Sequence, residues 1–431
     1  MPGFDWRVIT ALFVLATASP TAGCREAEPE PSAPPEASRA SDTADSEAPI
    51  DAAMIEQLNA IGYVAGSTPA GDSKGVITHE PERTQPGINF VVSAHRPGAV
   101  LMDMDGNILH EWQAEFLDLF PSQQKSPPYT HNFWRHAELL PNGDVVGIWH
   151  HFGIFRLDRN SKILWAHEEY AHHDLFVTEA GEIYYLRAII RPFAELGGKK
   201  GLEDFIVVRD LAGRELRKLS MATALAPIEW PRLRQELIRR SNARNYGLGR
   251  NAWRDPFHTN AIWMLSEQEA SALGEPFRPG NLLVSMCLLD TIAVIDMEEE
   301  TARWWQTGPF GLQHQPRVTP DGKIAVFNNF QTFESSTVQI FDPKAAEMTW
   351  EYQGPESDRL HSRTSGGVDV LPNGNVLILE SNKGRILEVT PDKRVVWQYY
   401  NPNRAGDDNE LVAEIYTVDR IDASSLDWLE R

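Results

Sequence analysis

Residues 368–397 read VDVLPNGNVLILESNKGRILEVTPDKRVVW. Two phrases lie in that stretch. The first is a strand, a Gly turn and a strand (368–379). The second is a strand, a short turn and a strand ending in Trp (386–397). Apolar, β-branched runs punctuated by Pro, Asn, Gly and Asp predict four antiparallel strands, here called A to D. The second phrase recurs as VLMDMDGNILHEW (100–112), IFRLDRNSKILW (154–165), IAVIDMEEETARWW (292–305) and VQIFDPKAAEMTW (338–350), and as a degenerate copy without Trp, FIVVRDLAGRELRKL (205–219). The first recurs as AELLPNGDVVGIW (137–149), LFVTEAGEIYYL (175–186) and RVTPDGKIAVF (317–327). The strand-end positions Asp103, Asp158, Asp210, Asp296, Asp342 and Thr390 lie 55, 52, 86, 46 and 48 residues apart. Four strands repeated six times at that period predict an all-β, six-bladed β-propeller.

The first unit starts at its B strand, INFVVSA (88–94). The C-terminal AEIYTVDRI (413–421) has the alternation to supply the missing A strand and close the ring, which would leave no exposed sheet edge there. The propeller is thereby expected over 88–421. Before it, residues 1–24 read as a signal peptide: Arg7 is its basic region, and Val8 to Ala18 is apolar but too short to span a bilayer. Thr21-Ala22-Gly23-Cys24 resembles a lipobox, so Cys24 is the expected lipid attachment point. The protein is then exported to the periplasm or cell envelope and meets membrane through that anchor only. Residues 25–50, rich in Glu, Pro, Ser and Ala, predict a disordered linker. Residues 51–87 predict a short helix (Met54, Leu58, Ile61) and a lead-in segment, and 422–431 a tail. With Cys24 acylated, Cys287 is the remaining thiol and no intrachain disulfide forms. The net charge of −21 excludes nucleic acid and anionic lipid as partners. An anionic substrate would need a local cationic pocket.

In a propeller the A strands line the axis. The residues that open them are Arg135-His136, His172-His173-Asp174, His258-Thr259-Asn260, Gln313-His314-Gln315 and Arg363-Thr364-Ser365. Four successive units thus place a His at one structural position, which converges them on one channel mouth. Long connections (114–135, 189–203 and 221–257) fall on the face where A strands begin, and short turns are expected on the other. A rigid scaffold carrying its loops on one face is the layout of a site. The 221–257 connection between units 3 and 4 predicts a helical insertion, with Pro231 in its first turn. His110, His150, His151 and His167 lie away from the A-strand starts and read as structural.

These residues resemble the bacterial arylsulfotransferase family over about 88–421, through the propeller plan, His173-Asp174, His258-Thr259-Asn260 and Gln313-His314. The resemblance implies transfer of a sulfuryl group between phenols by a ping-pong route through a sulfohistidine, with aryl sulfates and phenols as partners and no cofactor. It implies His314 as nucleophile, with His258 or His173 as acid and base, and Asn260, His136 and Arg363 as substrate-binding residues. One departure stands out: where the family carries an Arg in the fourth unit's B strand, this chain has Cys287. Either Arg363 or Arg135, beside His136, then supplies the cation from a neighbouring unit, or the substrate is a different one. Two alternatives stay open: a non-catalytic binding module, and a metal-binding propeller using the convergent histidines.

Overall fold

The computed structural model describes residues 65–126, 131–236, 254–332, 335–406 and 408–429. The expected signal peptide, the linker, the helix near 54–61 and residues 237–253 of the 221–257 connection lie outside the described residues. Among the described residues no helix is long and apolar enough to cross a membrane.

The described chain is all-β. Six antiparallel sheets of four or five strands follow one another along it. Sheet I contains Ile415–Ile421, Ile88–Ser93, Gly98–Met102 and Ile108–Gln113. Sheet II contains His136–Leu139, Val145–Trp149, Gly153–Leu157 and Ile163–Glu168. Sheet III contains Ala171–Val177, Glu182–Phe193, Lys199–Asp210 and Glu215–Ser220. Sheet IV contains Thr259–Met264, Leu282–Met286, Thr291–Asp296 and Thr301–Thr307. Sheet V contains His314–Val318, Ile324–Thr332, Ser335–Asp342 and Glu347–Tyr352. Sheet VI contains Gly367–Val370, Val376–Glu380, Arg385–Val389 and Val395–Tyr400. The C-terminal strand pairs antiparallel with Ile88–Ser93, from Ile415 opposite Ser93 to Ile421 opposite Ile88. Strands of neighbouring sheets pack on one another in sequence, and the C-terminal strand touches both sheet VI and sheet II.

Local chemistry explains the repeated phrases. The strand-end Asp is a turn organiser. Asp103 Oδ1 accepts from the Asp105 and Asn107 amides, Asp158 Oδ1 from Asn160 and Lys162, and Asp210 Oδ1 from Ala212 and Arg214. Asp296 and Asp342 do the same in sheets IV and V. Thr390 substitutes its hydroxyl, which accepts from the Arg394 amide. A short polar side chain that bonds the backbone two residues on is the mechanism of such turns. The strand-end Trp reaches the next sheet. Nε1 of Trp112 donates to Gly143 O of sheet II at 3.0 Å, and Nε1 of Trp165 to Leu211 O of sheet III at 3.0 Å. Nε1 of Trp350 donates to Pro391 O of sheet VI at 2.9 Å, and Nε1 of Trp397 to Met104 O of sheet I at 2.8 Å. Apolar faces between sheets form the core, with Trp112, Trp149 and Trp397 fully buried.

Four features differ from the expectation. The 189–203 segment is no loop: its residues extend the two middle strands of sheet III into a hairpin paired from Glu182 opposite Asp210 to Phe193 opposite Lys199. The far face is not limited to short turns. A helix, Glu267–Leu273, joins the first two strands of sheet IV and starts with a reciprocal cap between Ser266 and Glu269. The lead-in is partly strand, because Gly75–His79 adds a fifth strand to sheet VI. The tail is packed: Leu426 is buried, and Trp428 meets Trp112 edge-on at 5.9 Å. In the 221–257 connection, residues 221–224 and 230–236 are helical.

Candidate active site

Side chains are aimed at the site by a repeated irregularity. The first strands of sheets III, IV and V each shift register near their start. His173 and Asp174 fall outside the ladder in sheet III, Asn260 in sheet IV, and Gln315 with Pro316 in sheet V. His173, His258 and Gln315 adopt left-handed φ of 56°, 48° and 42°. Bulges re-aim side chains, and non-glycine residues at positive φ cost on the order of 1–3 kcal/mol each, a strain that clusters at functional sites.

His314 is buried and held in one tautomer. Its Nδ1 lies 2.7 Å from Asn329 Oδ1 and 3.0 Å from Leu312 O. The Asn329 amide cannot be turned over, because its Nδ2 donates to Ser362 O and Ser365 O, both at 2.7 Å. Both neighbours of Nδ1 are therefore acceptors, and Nδ1 carries the proton. Nε2 keeps its lone pair, buried and without a hydrogen bond. Burial pushes the imidazole down to about 3, the charges of Arg135 and His258 adding to the effect against the Asn329 hydrogen bond. The ring is neutral at physiological pH.

His258 is the opposite case. Its Nδ1 is 2.5 Å from Asp255 Oδ2. Burial opposes its protonation, but Asp255 prevails and the imidazole is raised above its ordinary value. His258 Nε2 faces His173 Nε2 at 3.1 Å. Burial, then the charges of His258 and His172, hold His173 well below the usual range. His136 lies nearby, its Nε2 3.4 Å from Asp174 Oδ1 and its Nδ1 3.0 Å from Thr417 Oγ1. Asp174 thus faces an imidazole, and its Oδ2 takes the Ile262 amide of sheet IV at 2.9 Å. Asn260 Nδ2 donates to Gln313 O at 2.8 Å, while its buried Oδ1 has no hydrogen bond. One amide donor is thus already engaged.

Arg135 sets a positive charge among these histidines. It is 5% exposed, donates to Ser365 Oγ at 3.3 Å and lies over the Tyr416 ring at 4.4 Å. Its charge bears on His136, His150, His173 and His314. Arg363 is exposed, and only its backbone amide is tied in, to Asn382 Oδ1. Cys287 is buried, and burial raises its thiol well above its ordinary value. Beside it the insertion brings Arg234, a fully buried guanidinium that donates to Leu288 O at 2.5 Å and Asp255 O at 3.3 Å.

The sequence reading set His150 and His151 aside, yet both are buried, and the His150 ring meets His173 edge-on at 5.0 Å. They follow the second strand of sheet II, which ends on the face where first strands begin, so antiparallel geometry was the missed signal. Asp204, Asp255 and Asn329 carried no repeat signal. Farther along the first strands stands a second layer: Glu138, Asp369 and Asp419 around Arg317. Burial, with the charge of Asp419, raises Glu138 well above the ordinary carboxylate range, whereas Asp419 itself is exposed. Among the described residues no three His, Cys, Asp or Glu side chains are placed to hold a metal ion.

No curated protein matches the sequence significantly. Among solved structures the chain is similar to a protein of unknown function from Bacteroides caccae, at 12% identity over 77% of this chain and 98% of that one, with a TM-score of 0.44. It is also similar to virginiamycin B lyase from Staphylococcus aureus, at 10% identity over 77% and 89%, with a TM-score of 0.42. A protein from Desulfotomaculum acetoxidans aligns at 10% identity over 78% and 100%, with a TM-score of 0.43. In sequence, the model of one family, arylsulfotransferase (ASST), matches residues 136–402. That span takes in His136, His173, His258 and His314 and more than half of the chain, which therefore belongs to the arylsulfotransferase family.

Proposed function

We propose that the six sheets are the blades of a closed propeller whose histidine-lined mouth transfers a sulfuryl group from an aryl sulfate to a second phenol through His314. One observation carries this reading: a buried imidazole whose Nδ1 proton is fixed by Asn329, leaving Nε2 as an unengaged lone pair. A neutral nitrogen with one free lone pair is the form that attacks, and covalent transfer splits a difficult displacement into two easier ones. In the first step the Nε2–S bond forms and the S–O(aryl) bond breaks. The departing phenolate takes a proton from the His258–His173 pair. In the second, the acceptor phenol returns that proton as its oxygen bonds to sulfur and the N–S bond breaks. Arg135 supplies positive charge for the sulfuryl oxygens in a water-poor pocket, and such stabilisation is worth about 10²–10³ in rate. The second N–H of Asn260 and His136 are the remaining candidates for substrate contact.

The test is transfer from a chromogenic phenyl sulfate to an added phenol. His314→Ala should abolish it, and the native protein quenched without acceptor should carry a sulfuryl adduct on His314, detectable by mass spectrometry. Turnover that survives in the Ala variant would remove the reading. Export and acylation at Cys24 belong to the same proposal, on the strength of the leader sequence. Radiolabelled palmitate should enter the native protein and not Cys24→Ser.

A further inference from the structure

Five buried or nearly buried groups stand in one row. Asp255 Oδ2 is 2.5 Å from His258 Nδ1, and His258 Nε2 is 3.1 Å from His173 Nε2. His173 Nδ1 is 2.7 Å from His172 Nδ1, and His172 Nε2 is 3.4 Å from Asp204 Oδ1. Both carboxylates are pinned by backbone: Asp255 Oδ1 accepts the His258 amide at 2.9 Å, and Asp204 Oδ2 accepts the Thr259 amide at 2.8 Å. The row therefore begins and ends in an acceptor that cannot swing away.

The protons can be counted. Three of the four contacts are hydrogen bonds, and each needs one proton. The fourth, His172 Nε2 with Asp204 Oδ1, stands at ion-pair distance without a hydrogen bond, and it needs one too, because a bare lone pair facing a buried carboxylate is repelled. Three neutral imidazoles bring three protons. The fourth must come from outside, so the row as a whole holds one imidazolium between two carboxylates. With that charge on His258, every contact has a donor: His258 to Asp255, His258 to His173, His173 to His172 and His172 to Asp204.

We propose that Asp255, His258, His173, His172 and Asp204 form a proton relay that stores one proton and moves it between His258 and His172 in two hops, without rotation of any ring. The hops run from His258 Nε2 to His173 Nε2 and from His173 Nδ1 to His172 Nδ1, and the positive charge ends beside Asp204. The use of that proton rests on the transferase reading above. The leaving phenolate takes it at the His258 Nε2–His173 Nε2 contact, where its oxygen must displace one of the two rings because the other ring nitrogens face His172 and the carboxylates. The acceptor restores it there in the second half-reaction. Asp204 and His172 are then positioning residues that act through His173 and His258.

The surroundings bear on the charge from every side. Asp255 and Asp204 favour it on His258, and Arg234 on the insertion helix opposes it there. Arg135 and His150 oppose it on His173. Cys287 and Asp290 lie within electrostatic reach of Arg234 behind Asp255. The raised value of His258 and the depressed value of His173 place the resting charge at the Asp255 end.

The test is nitrogen NMR of the full chain labelled in histidine, without substrate, between pH 6 and 9. The expected result is one doubly protonated imidazole among His172, His173 and His258 at pH 7, with strongly deshielded ring protons. In Asp204→Asn its titration midpoint should fall by about one unit or more, a tenfold loss of proton affinity, and Asp204→Glu should recover most of it. Three neutral rings in the native protein at pH 7, or an unmoved midpoint in Asp204→Asn, would overturn the relay. The native count decides even where a variant does not fold. An intact imidazolium without any aryl sulfate turnover would remove the transferase reading and keep the relay, whereas turnover with three neutral rings would do the reverse.

Discussion

In the proposed transfer the reactivity of His314 depends on Asn329, which with the Leu312 carbonyl decides which ring nitrogen is free. Asn329→Leu removes the nearer of the two acceptors at Nδ1, leaves the Leu312 carbonyl at 3.0 Å, and lets a share of the rings carry the proton on Nε2 instead. A wholly wrong tautomer in a nucleophile–base system costs up to about 10⁴ in kcat, so a partial shift is expected to lower kcat about tenfold or more, with little change in KM, in steady-state transfer assays. An unchanged kcat would show that the tautomer is set elsewhere. The sequence placed His173, His258 and His314 at matching positions because they occupy the same point of a repeat. It could not expose Asn329, Asp204 or Asp255. Asn329 and Asp204 sit on middle strands and Asp255 on a connection, where no periodicity marks them, and their roles depend on which neighbouring sheet they meet.

Between elements, the recurring Trp does more than fill the core. Its indole N–H joins one sheet to the next, and Trp397 does so from the last sheet to the first. Trp397→Phe keeps most of the apolar bulk and loses that bond, for an expected cost of about 1–3 kcal/mol. Chemical denaturation should show a lower midpoint, and an unaltered midpoint would mean that the join contributes nothing. Gly322, in the turn between the first two strands of sheet V, has φ of 74°, and an added Cβ would lie 2.3 Å from Ala272 O on the helix of sheet IV. Gly322→Ala must therefore displace that helix or the turn, and the melting temperature should drop by several degrees. That helix was not legible beforehand. It is seven residues long, so its apolar periodicity spans barely two turns, and it occupies a junction that the other units cross in a few residues. The long hairpin of sheet III was hidden for a related reason: Pro192 and Gly197-Gly198 look like loop punctuation, whereas the structure places Pro192 near the tip of the hairpin, opposite Lys200.

For the whole molecule, burial of so many imidazoles ties stability to pH. His136, His150, His151, His173 and His314 all have folded values below the ordinary one of about 6.5, His314 down to about 3. For each, the unfolded chain binds the proton more readily, so its stabilising contribution is present above about 6.5 and is lost as pH falls. His258 is shifted the other way. Its contribution is full below about 6.5 and is lost as pH rises through its higher folded value. Five groups outweigh one, and the denaturation midpoint at pH 5 should lie clearly below that at pH 7. Equal midpoints would mean that these rings are already solvated in the native state.

The carboxylates on the inner strands beyond the histidines have a consequence for traffic. A sulfate ester finds Arg135 at one end of the axis and Glu138, Asp369 and Asp419 farther along. In the proposed closed propeller Asp369 and Asp419 outweigh Arg317 there even with Glu138 protonated, so the ester is expected to be admitted from the first side and repelled from the second. Donor and acceptor would then share a single doorway, and the first phenol must step out before the next can come in. The order of a double-displacement reaction would follow from the plumbing as much as from the chemistry. At high concentration each phenol should compete with the donor for entry.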